Sequence, residues 1–245
     1  MTSFTDRAYT ARVHALRDLE PSARAAMERL YLAHYDATSP AVFRHDLAEK
    51  DEALVVRHGE VIVGFTTLAT YPFVWENRTI RVVFSGDTVV DRRHWGQQAL
   101  GRAWIARVGR LSREFPDSPL RWFLLVKGHR TYRYLPGNFS RFFPHWEREE
   151  PALSGLARAL ARDRFGEYFR EKDGLVVFPA SRGQLKSDIA EPDAREREKP
   201  PVRFFLERNP GFRQGHEMVC VCPLEAANFR PAGRRMFLES FRDPG

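Results

Sequence analysis

The chain has 245 residues, of which 43% are hydrophobic and 29% charged, and its formal net charge at pH 7 is +7. This balance is typical of a folded protein with a sizeable core and excludes an extensively disordered chain. No apolar run approaches the ~20 residues that cross a bilayer, and the first residues lack the apolar core of a signal peptide, so we expect a cytoplasmic protein without a membrane span.

Arginine carries most of the positive charge, since lysine stands only at positions 50, 127, 172, 186 and 199. A basic chain favours an anionic partner. Nucleic acid, a phosphorylated cofactor and an acidic carrier protein all meet that description. A GC-rich coding sequence would produce the same arginine bias without any function.

The first part of the chain predicts two helices, a hairpin and a central strand. Residues 21–36 and about 40–50 have helical patterns that begin at prolines. Two β-rich runs, 53–57 and 61–69, flank a glycine-bearing turn and predict the hairpin. The next run, 80–90, is rich in Val, Ile, Phe and Thr, as a buried strand should be.

The rest of the chain mixes helices and strands. The predicted elements are a helix from about 100 to 113, a strand over 120–126, a short helix around Tyr132, a helix over 151–172, a short strand over 174–179, and two closing strands over 202–207 and 217–223. The segment 188–201 has prolines near both ends and charges between them, which predicts a linker.

This order of elements predicts an α/β (α+β) fold. We expect a single mixed, mostly antiparallel twisted sheet of about six to seven strands with helices on both faces. We expect one domain over residues 1–245, with an insertion at about 146–201 before the last two strands.

Two cysteines, Cys220 and Cys222, alternate onto one face of the last predicted strand. A zinc site would need further ligands, and no second cysteine pair supplies them. We therefore interpret both cysteines as small buried hydrophobic residues and expect no bound metal.

The stretch from Ile80 to Leu111 indicates a binding site. The central strand leads through a polar turn that holds Gly96, and Gly101 lies one turn inside the following helix. The apolar residues of that helix are spaced four, four and three apart, at Leu100, Trp104, Val108 and Leu111. Because the first N–H groups of a helix are unpaired and lie at the positive end of its dipole, we expect an anion site, such as one for a pyrophosphate.

In its order of elements and its central strand–turn–helix, the chain resembles the GNAT superfamily of N-acyltransferases over about residues 20–145 and 200–225. Members carry a six-residue pattern at the start of the central helix: Arg or Gln, two free positions, Gly, one free position, then Gly or Ala. The run from Gln98 to Ala103 fits this pattern. A second frame, from Arg93 to Gln98, lies at the more usual distance from the strand but ends in glutamine.

The resemblance implies an acyl donor bound along the central strand and the turn. The donor would be acetyl-CoA, a longer acyl-CoA or the acyl-phosphopantetheine of a carrier protein, and Thr88, Val89 and Val90 would line its pantetheine arm. The residues expected around its phosphates are Trp95, Gly96, Gln97, Gln98, Ala99, Gly101 and Arg102.

Acyl transfer to an amine also needs an acid for the leaving thiolate and a base for the amine. In the family a tyrosine after the strand that follows the central helix commonly protonates the thiolate. Tyr132 is the first candidate here and Tyr134 the second, although an aromatic residue that only packs fits each position equally well. Asp87 on the central strand is a candidate base or a bulge residue after Gly86, and His94 or a water relay are alternatives.

Other residues are weaker candidates. Arg130 and Arg133 lie close enough in sequence to lower a tyrosine pKa or to contact phosphates. Asn138 and Glu217 are candidates for substrate contact. The phenylalanine-rich run 139–143 lines a channel for a longer acyl chain or belongs to the core.

The resemblance thus implies direct transfer of an acyl group from acyl-CoA or acyl-carrier protein to the amine of a small molecule, an amino acid or a peptide. One alternative is a basic nucleic-acid-binding protein with interleaved aromatic residues, as in the run 130–143. Another is the same fold without catalysis, acting as a binding subunit. The sequence also leaves a homodimer open.

Overall fold

The computed structural model describes residues 4–6 and 8–242. The strands, in chain order, are β1 (Phe4–Asp6), β2 (Tyr9–Ala15), β3 (Tyr35–Asp36), β4 (Glu52–His58), β5 (Val61–Trp75), β6 (Arg78–Val90), β7 (Leu120–Val126), β8 (Phe169–Arg170), β9 (Leu175–Val176), β10 (Gln184–Leu185) and β11 (Glu217–Pro223). The α-helices are α1 (Pro21–His34), α2 (Pro40–Ala48), α3 (Ala99–Glu114), α4 (His129–Tyr132), α5 (Tyr134–Asn138), α6 (Pro151–Phe165), α7 (Ser187–Ala190), α8 (Ala194–Arg197), α9 (Pro200–Arg208) and α10 (Pro231–Arg242).

The chain divides into two compact units. The first comprises the residues up to Ala33, Pro40–Arg121 and the residues from Leu224, and the second comprises His34–Ser39 and Trp122–Pro223. Neither unit is a continuous stretch of sequence. In the described part of the chain, no helix combines the length and the apolar character that a bilayer crossing requires.

The first unit contains five neighbouring strands in the order β1-β2-β4-β5-β6, and every pair is antiparallel. Strands β5 and β6 form a long hairpin, whose turn residues Glu76 and Asn77 have φ of 49° and 60°. Helix α2 reaches this sheet through Phe43, whose ring lies 6.1 Å from that of Phe65 on β5. The hydrophobic core of the unit therefore lies between the sheet and its helices.

Helix α3 is fixed to the sheet by a nearly buried ion pair. The Arg107 guanidinium donates to both carboxylate oxygens of Glu52 on β4, at 2.8 and 2.9 Å, and to Glu114 at 2.6 Å. These carboxylates raise the pKa of Arg107 against the opposing effect of burial. A bidentate pair of this kind sets the position of the helix relative to β4.

In the second unit, the neighbouring strands follow the order β7-β11-β9-β8, and β10 pairs with β3 in a separate two-stranded sheet. All residues of β11 are buried, including Cys220 and Cys222, as expected for small core residues. Backbone hydrogen bonds in both directions join Phe143 to Val221 on β11. The turn after β7 forms the two short helices α4 and α5.

The prediction of an α/β fold with a mostly antiparallel sheet and flanking helices is confirmed. The number of strands is higher than the six to seven expected. Among the described residues, five strands neighbour one another in the first unit and four in the second. The predicted helix over 151–172 ends at Phe165, where Gly166 has φ of 52°.

Two predictions, one at the end of the insertion and one directly after it, are wrong. The predicted linker 188–201 contains most of α7, all of α8 and the start of α9, and the predicted strand 202–207 lies inside α9. The apolar run Val202–Leu206 has β-like composition, but two prolines at the first helical positions fix its start, and Val202 and Phe205 are buried at helical spacing. Strands β1 and β2 and helix α10 were not predicted.

Helix α10 approaches α3 at a glycine, and this contact is testable. A Cβ built at Gly109 would lie 2.6 Å from the carbonyl oxygen of Phe237, whereas one built at Gly101 in the same helix meets nothing within 4 Å. We expect Gly109→Ala to lower the free energy of unfolding by about 1–3 kcal/mol, because the helices must move apart. The matched control Gly101→Ala should be neutral or stabilising by up to about 1 kcal/mol. Urea unfolding measures both, and equal stabilities for the two variants would refute the close approach.

Candidate functional site

Strand β6 carries a bulge near its end. On β5, Thr66 alone lies opposite two residues of β6, Asp87 and Thr88. Asp87 has φ of 29°, which L-residues rarely adopt, and the hydroxyls of Thr66 and Thr88 lie 2.7 Å apart. A bulge bends the strand and redirects the residues that follow it. Asp87, the sequence candidate for the base, is therefore the half-buried bulge residue that the alternative interpretation described.

The last residues of β6 present backbone groups away from β5. The amide of Asp91 donates to Val63 on β5 at 2.8 Å. Strand alternation then turns the backbone of Val90 to the other edge, where its carbonyl accepts the indole N–H of Trp95 at 2.9 Å. The indole N–H of Trp95 is thus used within the turn, while Thr88 and Val90 are half-buried and Val89 is buried.

Asp91 shapes the turn that follows β6. Its carboxylate accepts the backbone N–H of Arg93 at 3.0 Å and caps the 3-10 turn Arg92–His94. The Arg93 guanidinium also donates to it, at 2.7 and 3.2 Å. These hydrogen bonds, with Arg93 as the first cause, lower the pKa of Asp91 to about 2. The carboxylate is therefore charged at neutral pH and belongs to the turn.

A cluster of three rings holds the same turn against the sheet. The Tyr9 hydroxyl of β2 lies 3.0 Å from Nδ1 of His94, and the ring of His58 lies 5.0 Å from that of Tyr9 and 5.2 Å from that of His94. Tyr9 on β2 and His58 on β4 lie directly opposite each other in the antiparallel pairing of these two strands. His94, an alternative candidate for the base, is thus part of a structural contact that the sequence did not predict.

Several amides of the turn have partners within it. The amides of His94, Trp95 and Gln97 donate to backbone carbonyls three residues earlier, at 2.8, 3.3 and 3.5 Å. The amide of Leu100 donates to the side chain of Gln97 at 3.2 Å, and that of Arg102 to the carbonyl of Gln98 at 3.0 Å. These groups are committed to holding the turn and the first turn of α3.

Four amides of the same segment have no acceptor among the described residues: those of Gly96, Gln98, Ala99 and Gly101. Gly96 has φ of 90°, a conformation that favours glycine, and a Cβ at either Gly96 or Gly101 would point into open space. The four N–H groups lie at the start of a 16-residue helix, where the dipole favours negative charge. Both sequence frames contribute, since Gly96 belongs to the earlier frame, Ala99 and Gly101 belong to the later one, and Gln98 belongs to both.

Lys50 lies beside the bulge, and no motif in the sequence indicated it. A Cβ built on Gly86 would lie 2.7 Å from Lys50 Cε and 3.2 Å from its Nζ, so a side chain at position 86 would require the flexible end of Lys50 to shift. The ammonium also donates to the carbonyl of Asp46 at 2.8 Å and lies 5.4 Å from the centre of the Phe84 ring.

The two tyrosine candidates, which lie in the second unit, differ in accessibility. Tyr132 is 0% exposed, and its hydroxyl donates to the carbonyl of Pro144 at 2.8 Å. Burial raises the pKa of Tyr132 far above its ordinary value. Tyr134 is 44% exposed. The environment of Tyr132 is that of a core residue, whereas the Tyr134 side chain is partly exposed, although burial raises the pKa of Tyr134 as well.

The weaker candidates of the second unit have structural partners. Asn138 donates to the carbonyl of Tyr134 at 2.9 Å, and Glu217 pairs with Lys127 at 2.9 Å. Phe139 and Phe142 are buried, which favours the core interpretation of that run over an acyl channel. Arg130 and Arg133 both donate to Glu196.

No family model matches the chain, and no curated protein sequence matches it. Among solved structures, YhbS from Escherichia coli, a GNAT family N-acetyltransferase in complex with CoA, is similar at 20% identity over 55% of this chain and 72% of that chain, with a TM-score of 0.38. Rv2747 from Mycobacterium tuberculosis, in complex with CoA, is similar at 13% identity over 87% of this chain and 99% of that chain, with a TM-score of 0.40.

A probable N-acyltransferase from Enterococcus faecalis is similar at 12% identity over 51% of this chain, with a TM-score of 0.39, and the match spans only 31% of that protein. Since TM-scores and identities are this low, the functional conclusion depends on the site alone.

The charge of Asp91 can be tested by measuring how the stability of the protein depends on pH. Its lowered pKa means that its contribution to stability is present above its ordinary pKa of 3.8 and is lost as the pH falls towards about 2. Asn retains a capping oxygen but not the charge. We therefore expect Asp91→Asn to be less stable than wild type at pH 5, by up to about 1 kcal/mol because Arg93 is exposed to solvent.

That difference should shrink between pH 4 and pH 2 in chemical unfolding experiments. The matched control is Asp117→Asn, which neutralises an exposed aspartate of the same unit. A difference for Asp91→Asn that stays constant down to pH 2 would contradict the ion pair with Arg93.

Proposed function

We propose that the protein is an N-acyltransferase whose acyl donor, an acyl-CoA or an acyl-phosphopantetheine, binds with its phosphate groups at the start of α3. The observation that carries this proposal is the set of amides of Gly96, Gln98, Ala99 and Gly101, which have no acceptor among the described residues. Several N–H groups at a helix start and in the turn just before it suit a ligand with several anionic oxygens. A diphosphate is such a ligand.

The end of β6 suits the pantetheine arm that would extend from those phosphates. Thr88 and Val90 are half-buried, and the bulge at Asp87 redirects the strand before the turn. The backbone of Val90 faces away from β5, and because its carbonyl accepts the indole N–H of Trp95, an extended amide-containing arm would pair with this edge by accepting the Val90 N–H or by displacing the indole. Val89 contributes its buried side chain to the core instead.

The donor would supply an activated acyl group as a thioester. A deprotonated amine attacks the carbonyl carbon, the C–N bond forms, the C–S bond breaks, and the thiolate takes up a proton. We assign that proton donor to Tyr134 rather than Tyr132, because the Tyr132 hydroxyl is buried and bonded to Pro144. Asp87, or water next to it, is the proposed acceptor of the amine proton.

The basic composition has a structural explanation that does not require nucleic acid. Many arginines pair with carboxylates: Arg44, Arg93, Arg107, Arg121, Arg130, Arg133, Arg141, Arg162, Arg197 and Arg213. Paired guanidinium groups offer less charge to a phosphate backbone than free ones do. We therefore favour the acyltransferase over the nucleic-acid-binding alternative.

Substitutions at Gly101 test the phosphate site. A side chain there enters open space without disturbing the helix, so the fold should be retained. We expect Gly101→Glu to weaken CoA binding at least about tenfold, because one or more charge-assisted hydrogen bonds are lost and a like charge is added. Isothermal titration calorimetry measures the affinity, and circular dichroism checks the fold.

Two variants at the same position separate charge from bulk. Gly101→Gln has the size of glutamate without its charge, and Gly101→Lys adds a cation, so affinity should follow the order Lys, Gln, Glu. Equal CoA affinity in wild type and Gly101→Glu would show that the phosphates bind elsewhere. Absence of CoA binding by the wild type, together with steeply salt-dependent binding of arbitrary DNA, would favour the nucleic-acid alternative.

The two tyrosines should respond differently to loss of the hydroxyl. Tyr134→Phe should lower kcat about 100-fold or more with little change in the KM for the donor, as expected for a general acid. Tyr132→Phe should leave kcat unchanged but lower the free energy of unfolding by about 1 kcal/mol or more, because the buried carbonyl of Pro144 loses its donor. CoA release from acetyl-CoA with a small amine acceptor measures kcat. The opposite pattern would return the role of acid to Tyr132, and no turnover with any donor would favour a non-catalytic binding subunit.

A further inference from the structure

A segment of the insertion lies against the turn that follows β7 in the second unit. We call residues 184–197 the strap and residues 128–138 the tyrosine turn. At the start of the strap, β10 pairs with β3, and a Cβ built at Gly128 would approach Leu185 Cδ1 to 2.7 Å. Glycine at 128 therefore allows the strap to lie directly on the first residue of the tyrosine turn.

The strap contacts the tyrosine turn most extensively through one carboxylate. Glu196 accepts hydrogen bonds from Arg130 at 3.1 Å, from Arg133 at 3.2 Å and from Nε2 of His129 at 3.3 Å. The Arg130 guanidinium also donates to the carbonyl of Ile189 in the strap. Three side chains of one short helical turn thus converge on a single group from a segment more than 60 residues away in sequence.

Glu196 lies in a largely buried environment, so its carboxylate depends on these contacts for stabilisation. Its side chain is 14% exposed, and that of His129 is 1% exposed. A carboxylate so far removed from water needs charged or hydrogen-bonding partners. Burial, followed by the nearby Arg130, lowers the pKa of His129, so at neutral pH this residue is an uncharged donor. The two guanidinium groups supply the opposite charge.

The strap also fixes the direction of the carboxylate. Asp193 caps α8 by accepting the amide of Glu196 at 2.7 Å, and the Glu196 carboxylate returns to accept the amide of Asp193 at 3.4 Å. This reciprocal arrangement is a capping box. Glu196 is therefore held at the start of its own short helix while it binds the tyrosine turn.

On the other side, the partners of Glu196 define the backbone around Tyr134. The amide of Arg133 donates to the carbonyl of His129 at 3.1 Å, which closes α4. The carbonyl of Arg133 accepts the amide of Gly137 at 3.1 Å, which forms α5. Because Arg133 directly precedes Tyr134, fixing its side chain fixes the point from which the Tyr134 side chain extends.

We propose that Glu196 is a positioning residue that acts through Arg133, Arg130 and His129 to hold the tyrosine turn and the side chain of Tyr134. The insertion then has a defined role in the enzyme, which is to order the turn that carries the proton donor. This inference rests on the proposed acyltransferase function for its kinetic consequence. The ordering of the turn itself can be measured without any turnover.

The test compares Glu196→Gln with the matched control Glu198→Gln, which makes the same change at an exposed residue two positions away. Hydrogen exchange of the full chain should become at least tenfold faster at the amides of residues 129–138 in Glu196→Gln, and should be unchanged in Glu198→Gln. Acetyl-CoA turnover should show a kcat at least tenfold lower for Glu196→Gln, with an unchanged KM for the donor. Arg133→Gln, which removes one contact and leaves the carboxylate, should show a smaller change in the same direction.

Two results would contradict the proposal. Unchanged exchange at 129–138 in Glu196→Gln would overturn the proposal, whether or not an amine acceptor has been found. Unchanged kcat despite faster exchange would overturn the link to Tyr134. Glu196→Asp keeps the charge on a shorter side chain and should recover part of the lost kcat, and failure to exceed Glu196→Gln would count against the ion pairs. If no acyl donor turns over, the proposed function fails, and the exchange data alone decide the role of Glu196.

Discussion

A helix cannot pair its own first N–H groups, and this constraint defines the candidate site. At the start of α3 the chain satisfies some of these donors locally, through carbonyls of the preceding turn and the side chain of Gln97. It leaves four others without an acceptor in the described structure, and two of these belong to Gly96 and Gly101, where a built Cβ would enter open space. Backbone donors that are fixed before a ligand arrives bind it without further ordering of the chain, which is the physical basis of the proposed phosphate site.

The rest of the first unit holds these donors in place. The Glu52–Arg107 pair connects α3 to β4, and the Tyr9–His94 hydrogen bond connects the turn to β2. The bulge at Asp87 directs the end of β6 towards the same turn. Each contact comes from a different element, so the turn is fixed from several directions. Rigid support of this kind is what a preorganised binding site requires.

Much of this arrangement could be predicted from local sequence patterns. The strand over 120–126 was predicted at its observed bounds, and the central strand and helix were predicted to within a few residues. The glycine-bearing turn could be located because its residue types and position relative to the strand carry the information. The partition of its amides could not be predicted, because it depends on which carbonyls the 3-10 turn brings within reach.

Other features depended on contacts that no local pattern contains. The choice between Tyr132 and Tyr134 is decided by the carbonyl of Pro144, which accepts the buried hydroxyl of Tyr132, whereas the Tyr134 side chain is partly exposed. The strand-like run 202–207 is helical because its apolar side chains pack in the second unit. One local signal was present and was missed, since Asp193 and Glu196 have the spacing of a capping box within the predicted linker. The three partners of Glu196 lie too far away in sequence for any motif to indicate them.

The central claim is that particular backbone amides hold the donor phosphates, and amide NMR during a CoA titration tests it most directly. The account predicts large, saturable shifts of the amide resonances of Gly96, Gln98, Ala99 and Gly101. It predicts smaller shifts for His94 and Leu100, whose amides already have partners. Saturable shifts confined to other parts of the chain, or no shifts at millimolar CoA, would contradict the account.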